Sequence, residues 1–578
     1  MDRKALQNVL EVARGDAPAD VVLRNGRVLN VFTGEILEQD VAIVGETIAA
    51  VGEGYEGEEV IDLEGRFVVP GLIDGHVHIE SSMVTPPQFA RAVVPRGTTT
   101  VVTDPHEIAN VAGADGIRYM IAASEELPLT VFVNLPSCVP ATEMGTAGAD
   151  LDAGDLAALR DLPRVLGLAE FMNVPGAVLG LPGALDKLMA FRDGHIDGHA
   201  PGVTGKWLQA YAAAGPSTDH ESMTKEEALE KVRAGMHIFI REATAAKNLR
   251  DLLPAVTPEN MRRFAFATDD RHPAELLDEG QIDYLMRLAI DDGLDPIQAV
   301  RMATLNAAEA FGLEDRGAIA PGRRADLVVT PSLEALRAEM VFSGGQLVAE
   351  DGEAVGAWPE PEVDESAVRG SIHVDLDTLS FRVPVEDGHI RVIGIVPDQL
   401  YTEELVMVAK TEDGEAVADV ENDVLKLAVV ERHRGTGNVG LGFVKGLGLK
   451  QGAIAGSVGH DCHNLTVAGV DDVSMQTAVR AVKELGGGLV AAVDDNVLGS
   501  IALPIAGLMS KHPVKAVHAE MEALLDAAER LGSPLGDPFM HLGFLALEVI
   551  PKLKLTDKGL VDVDKFDFVP LWYEGEDA

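Results

Sequence analysis

The hydrophobic positions change period twice along the chain. Between residues 21 and 70, short apolar runs alternate with Gly-bearing turns (VVLRNGRVLNV, VAIVGETIAAV, EVIDLEGRFVV), the pattern of a small β domain. From residue 71 onward the order becomes strand, loop, amphipathic helix, repeated up to residue 315. Strands are predicted to end near Ile79, Asp104, Asn134, Phe171, His199, His220, Arg241 and Asp269, the sixth being short. Eight such units predict an α/β chain built as a (β/α)8 barrel, whose strand-end residues share one C-terminal mouth. The runs ADLVVTPS and EMVFSGGQLVAEDG return to β character after the barrel and are expected to complete the N-terminal domain. The expected division is a composite β domain from 1–70 plus 316–356, a catalytic barrel over 71–315, and a C-terminal α+β domain over 365–578. Residues 353–369, acidic and Pro-bearing, read as a linker.

Composition narrows the classes open to such a chain. No apolar run is long enough to span a bilayer, and MDRKALQNVLEVARG carries charges where a secretory signal needs an apolar stretch. A cytoplasmic protein without a membrane partner is expected. Cys138 and Cys462 are the only cysteines, so a disulfide framework and a cysteine-built zinc site of the cytidine-deaminase kind are excluded. Any metal must rest on His and carboxylates. The 93 acidic residues outnumber the 47 basic ones, for a formal charge of −46 spread through every region. Such a surface repels nucleic acid, and its self-repulsion is screened only at molar salt, where the Debye length falls to about 3 Å. A salt-rich cytoplasm, as in halophiles, is the expected setting.

Candidate chemistry clusters at the predicted strand ends. In FVVPGLIDGHVHIESS (67–82), the run Leu72 to Ile79 reads as a buried strand that puts His76 and His78 on one face. Taken alone, an HxH pair is equally well two buried, hydrogen-bonded histidines. Later strand ends add DPHE (Asp104 to Glu107), Glu170 in LAEFMN, His199 in DGHAPG, His220 in STDHES and Asp269 in ATDDRHP. A set of nitrogen and oxygen donors without thiolate suits Mn²⁺, Fe²⁺ or Zn²⁺, and two such ions lower the pKa of water enough to supply a nucleophile near neutral pH. GTGNVG (435–440) matches GxGxxG, but ERHR separates it from the preceding apolar run, so a hairpin or close-packed loop is predicted in place of a dinucleotide site. VGHDCHN gathers His460, Asp461, His463 and Asn464 behind a Gly-rich approach. This loop either caps itself or, as expected here, reaches over the barrel mouth and closes the pocket.

PGLIDGHVHIESS, TDPHEIANV, EFMNVPG, DGHAPG, TDHES and ATDDRHP resemble successive barrel motifs of the amidohydrolase superfamily, and within it the adenine deaminases of the bacterial and archaeal type. ERHRGTGNVGLGFVKG and the stretch around HDCHN resemble the C-terminal domain of that family, so the likeness covers nearly the whole chain. The resemblance implies one divalent metal on His76, His78 and Asp269, a second on His199 and His220, and Glu170 bridging where many amidohydrolases carry a carbamylated lysine. It favours Mn²⁺ or Fe²⁺ over Zn²⁺. It further implies a purine base as partner, hydrolysis of adenine to hypoxanthine and ammonia in purine salvage with Asp269 shuttling the proton, and a homo-oligomer, dimer or higher. His106 and Glu107 are candidates for the proton donor, and Arg241, Glu242, His460, Asp461 and His463 for substrate binding. The alternatives are another amidohydrolase acting on a related nitrogen heterocycle, or a catalytically silent binding scaffold on the same barrel.

Overall fold

The computed structural model describes residues 1–386, 388–397 and 399–573. Eight strands follow one another through the middle of the chain: Leu72–Val77, Thr98–Thr103, Thr130–Leu135, Val165–Phe171, His195–Gly198, Thr218–Asp219, His237–Arg241 and Phe264–Ala267. The first five form one parallel sheet and the last three another. The ring closes where Val77 bridges Asp269 in parallel and the Asp269 amide donates to the His76 carbonyl at 2.9 Å. Every residue of the first two strands is buried, as a parallel sheet covered on both faces requires. The interior leaves no slack beside the first strand: a Cβ on Gly75 would meet the Phe239 ring at 3.2 Å.

The predicted strand ends fall within two residues of the observed ones. One correction concerns the first strand, expected to run to Ile79. It stops at Val77, because the Ser81 and Met83 amides fold back onto the His78 and Glu80 carbonyls and wind Ile79–Ser82 into a 3-10 turn. His78 itself stays extended, with φ −99° and ψ 103°.

Ahead of the barrel, a nine-stranded sheet draws on both sides of it, since Phe67–Pro70 pairs antiparallel with Leu327–Thr330 and places Val69 opposite Val328. The helix Arg3–Ala13 was not foreseen; the Asp2 carboxylate caps it by accepting from the Ala5 amide at 2.8 Å, and Val9 and Val12 pack on the sheet. Beyond the barrel, an eight-stranded sheet carries the helices Asp472–Leu485 and Val514–Leu531. GTGNVG lies in the hairpin that joins Val424–Val430 to Val439–Lys445, with Val430 paired to Val439, as its flanking residues predicted. The segment read as a linker is packed down: Trp358 donates its Nε1 to the Val348 carbonyl at 3.2 Å and lies under the Arg91 guanidinium. Two apolar side chains in that acidic stretch, Trp358 and Val368, anchor it in the core.

Phe89, Ile240 and Phe264 of the barrel share one continuous apolar cluster with Val429 and Ile454 of the C-terminal sheet and Leu524 of the helix packed on it. Each such side chain contributes about 1.5–3 kcal/mol on burial, so the contact between these regions is part of the fold's main stabilisation. Among the described residues no helix is long and apolar enough to cross a membrane.

Candidate metal and active site

At the end of the first strand the two imidazoles are oriented from behind. His76 donates through Nδ1 to Asp197 Oδ2, and His78 through Nδ1 to the Asp104 carbonyl, each at 2.9 Å. With those protons committed outward, the two Nε2 atoms face inward 3.2 Å apart. Asp269 Oδ1 stands 3.1 Å from His78 Nε2 and 3.8 Å from His76 Nε2. Nitrogen lone pairs crowded against each other and a carboxylate repel, and a shared cation converts all three into ligands. The donor chemistry therefore fits a divalent metal. Asp269 adopts φ 58°, a left-handed conformation that few non-glycine residues hold, and the ring-closing bonds to His76 and His78 keep it there. Burial pushes its carboxyl up, but the Arg241 guanidinium, 2.8 Å away, and His78 hold it far below the usual carboxylate range.

Glu170, closing the fourth strand, sends one oxygen to each side. Oε1 lies 3.6 Å from His78 Nε2 and 3.3 Å from His106 Nδ1. Oε2 accepts from His199 Nδ1 and lies 3.2 Å from His220 Nε2. Burial disfavours its charge, yet His199 and His220 keep it ionised well below the ordinary value. His199 is pushed up to about 9 by Glu221 and Glu170 against the desolvation that would lower it. His76 stacks on His220 with ring centroids 3.8 Å apart, so the two candidate ligand sets are contiguous. Groups with metal-ligand spacing include His76, His78 and Asp269; His76, Glu170 and His220; and His199, His220 and Glu221. The buried Lys231 braces the second set, donating to Asp219 Oδ2 at 2.8 Å and to the Ala200 carbonyl at 2.7 Å, next to His220 and His199.

The rim is built from two parts of the chain. Arg241 reaches the cluster, where it holds Asp269 and both oxygens of Glu221. Glu242, just past the end of the strand that Arg241 closes, is held elsewhere: its carboxylate accepts from the Leu249 amide at 3.1 Å at the start of a helix. Among the described residues that amide, and no group of the cluster, is the hydrogen-bond partner of the Glu242 side chain. Glu107 accepts from His460 Nδ1 at 2.8 Å and from His463 Nε2, two side chains of the C-terminal domain. The Gly459 amide donates to His463 Nδ1 at 3.2 Å, which fixes the proton of a neutral ring on Nε2. His460 stacks on Phe544 at 4.4 Å and is raised to about 9, desolvation being outweighed by Glu107. Asp461 lies 4.0 Å from His106 Nε2, and burial lifts its carboxyl to about 6. His460 and His463 line an interdomain cavity together with Glu80, Glu107, Asp270 and Phe544. Sequence reasoning missed Asp197 and Glu221 as supporting groups, although one stands two residues before His199 and the other directly after His220.

A ring of imidazoles and carboxylates at the C-terminal mouth of a parallel α/β barrel is the arrangement of the amidohydrolases, and the profile of the Amidohydrolase family matches residues 67–348. The profile described as Adenine deaminase C-terminal domain matches residues 399–567. The chain is 51% identical to an adenine deaminase of Desulfatibacillum aliphaticivorans over 98% of this chain and 99% of that protein. It is 50% identical to adenine deaminase 2 of Carboxydothermus hydrogenoformans and 48% identical to an adenine deaminase of Brucella anthropi, each over 98% of this chain and 100% of the relative. The chain belongs to the adenine deaminase family of the amidohydrolases.

Proposed function

We propose that this chain hydrolyses adenine to hypoxanthine and ammonia, in purine salvage. The observation that carries the reading is a buried imidazole–carboxylate cluster whose chain neighbours Glu80 and Asp270 line a cavity shared with the family's own C-terminal domain. His76, His78 and Asp269 would hold one divalent cation, His199 and His220 a second, and Glu170 would stand between them. Oxygen and imidazole donors without thiolate suit Mn²⁺, Fe²⁺ or Zn²⁺, and the family likeness favours the first two. When bound, such ions lower the pKa of water and so supply a nucleophile near neutral pH.

The remaining work falls to the chain's own groups. Water oxygen adds at C6 and the C6–N6 bond breaks, so both water protons must leave the oxygen: one replaces the proton given to ring nitrogen N1, and the other goes to the departing amine. Asp269, kept ionised by Arg241, is the base that takes that proton and returns it to the departing nitrogen. His460 and Glu107 form the pair suited to donate at ring nitrogen N1, since one carries the proton and the other fixes its orientation. His106, beside Asp104 and Glu170, is held among the ligands and acts by orienting them. Burial pushes the Cys138 thiol far up, so it does not serve as a thiolate nucleophile. A cytoplasmic homo-oligomer adapted to high salt is proposed from the charge excess and the family. Ammonia release from adenine, adenosine, guanine, cytosine and dihydroorotate, with Mn²⁺ added, tests the reading. Turnover confined to a substrate other than adenine would replace it with a different amidohydrolase, and none at all with a binding scaffold.

A further inference from the structure

The cavity between barrel and C-terminal domain has polar groups that are almost all spoken for. Glu107 gives both oxygens to His460 and His463. Asp270 accepts from the Ser81 hydroxyl, and Asp537 from the Met540 amide at 2.9 Å with His272 3.5 Å away. Glu80 differs. It lies in the 3-10 turn directly after His78, is 3% exposed, and its Oε1 accepts from the Ile108 amide at 3.2 Å. Its Oε2 is buried with no hydrogen-bond partner among the described residues, on a side chain that lines the cavity. An unpaired buried carboxylate oxygen is costly and calls for a donor from outside the chain, and on the wall of a cavity a ligand can supply it.

The ligand's own chemistry narrows which donor that is. An acceptor oxygen needs an N–H or O–H. Adenine offers hydrogen on two groups only, the exocyclic amine on C6 and one azole nitrogen. The amine must face the metal-ligand cluster where it leaves, so the azole N–H is what remains for Glu80. We infer that Glu80 is a specificity-determining residue that accepts a hydrogen bond from the azole N–H of the free base through Oε2, and thereby selects the base over its N9-substituted forms, nucleosides included. This deepens the proposed deamination and rests on it. A nucleoside brings a sugar carbon to the position of that hydrogen, which both removes the donor and crowds the carboxylate, and a site built around a buried polar partner rejects such a substrate strongly.

The test compares adenine with 9-methyladenine in wild type, Glu80→Gln and Glu80→Ala. Wild type is expected to favour adenine strongly in kcat/KM. In Glu80→Gln, kcat/KM for adenine should fall roughly 10-fold, mainly through KM, the usual effect of losing one hydrogen bond. Over the same change 9-methyladenine should hold its value, and in Glu80→Ala it should hold or rise. Bound metal should be unchanged. Equal losses on both substrates would reduce Glu80 to a structural support and overturn the inference. A second measurement avoids the variants altogether: calorimetric binding of hypoxanthine and 9-methylhypoxanthine to wild type, where a preference of tenfold or more for the unmethylated base supports the inference and equal affinity overturns it. Failure of the parent reading looks different, because wild type would then release no ammonia from adenine at all.

Discussion

Asp269 combines a left-handed backbone, a carboxyl held far below the usual range by Arg241 and His78, and a bond in the barrel's closing seam, the combination behind its proposed role as the base. Replacing it by Asn keeps the shape and removes the base. Asp269→Asn should therefore retain the fold and lower turnover roughly 10²- to 10⁴-fold, checked by single-turnover kinetics alongside metal analysis. Full turnover would strip it of the proton-transfer role. His463 gives a pH prediction of opposite character. Burial holds its imidazole down at about 4, below the ordinary 6.5, so the unfolded chain takes up a proton at a pH where the native ring does not. Its contribution to stability is full above about 6.5 and is lost as the pH falls from there to about 4. Melting midpoints of wild type and His463→Gln across that window should converge toward the acid end. Parallel curves would mean that the ring is already charged in the native state.

At the level of elements, a loop after the third barrel strand docks on the C-terminal domain. Thr146 donates its amide and hydroxyl to the two oxygens of Asp557 at 2.8 and 2.7 Å, and Thr142 donates to Glu548 Oε1 at 2.6 Å. Asp557→Ala leaves buried donors unpaired and should cost about 1–3 kcal/mol in urea unfolding, with the cavity loosened and KM raised more than kcat. An unchanged midpoint would show the dock to be incidental. The barrel itself was legible in the sequence because each strand is an apolar run stopped by a polar residue, and those stops supply the candidate ligands: His76 and Glu170 are last but one in their strands, and His199, His220 and Asp269 lie just after theirs. What the sequence did not disclose follows from distance and from the path of loops. Glu107 and His460 are 353 residues apart and meet only through tertiary packing, so no local pattern couples them. Glu242 sits one residue past its strand, where its hydrogen bond from the Leu249 amide depends on the turn of the following loop. Glu80 could not be singled out, because an unpaired oxygen exists only relative to everything that surrounds it.

For the whole molecule, charge sets the conditions. A formal charge of −46 with few compensating bases predicts that the thermal midpoint drops as KCl falls from molar to about 0.1 M, where repulsion acts over about 10 Å. A midpoint independent of salt would end the halophilic reading while leaving the enzyme reading untouched. The composite sheet sets a different condition, on how the chain is made. Phe67–Pro70 finds its partner in Leu327–Thr330, which a ribosome adding 5–20 residues per second delivers roughly 10–50 s later. Throughout that interval the nascent chain carries an open strand edge, the surface on which chains pair with the wrong neighbour. Pro70, which offers no backbone N–H, blunts one end of that edge. Slow translation or crowded polysomes should therefore lower the yield of this protein before any property of its finished fold comes into play.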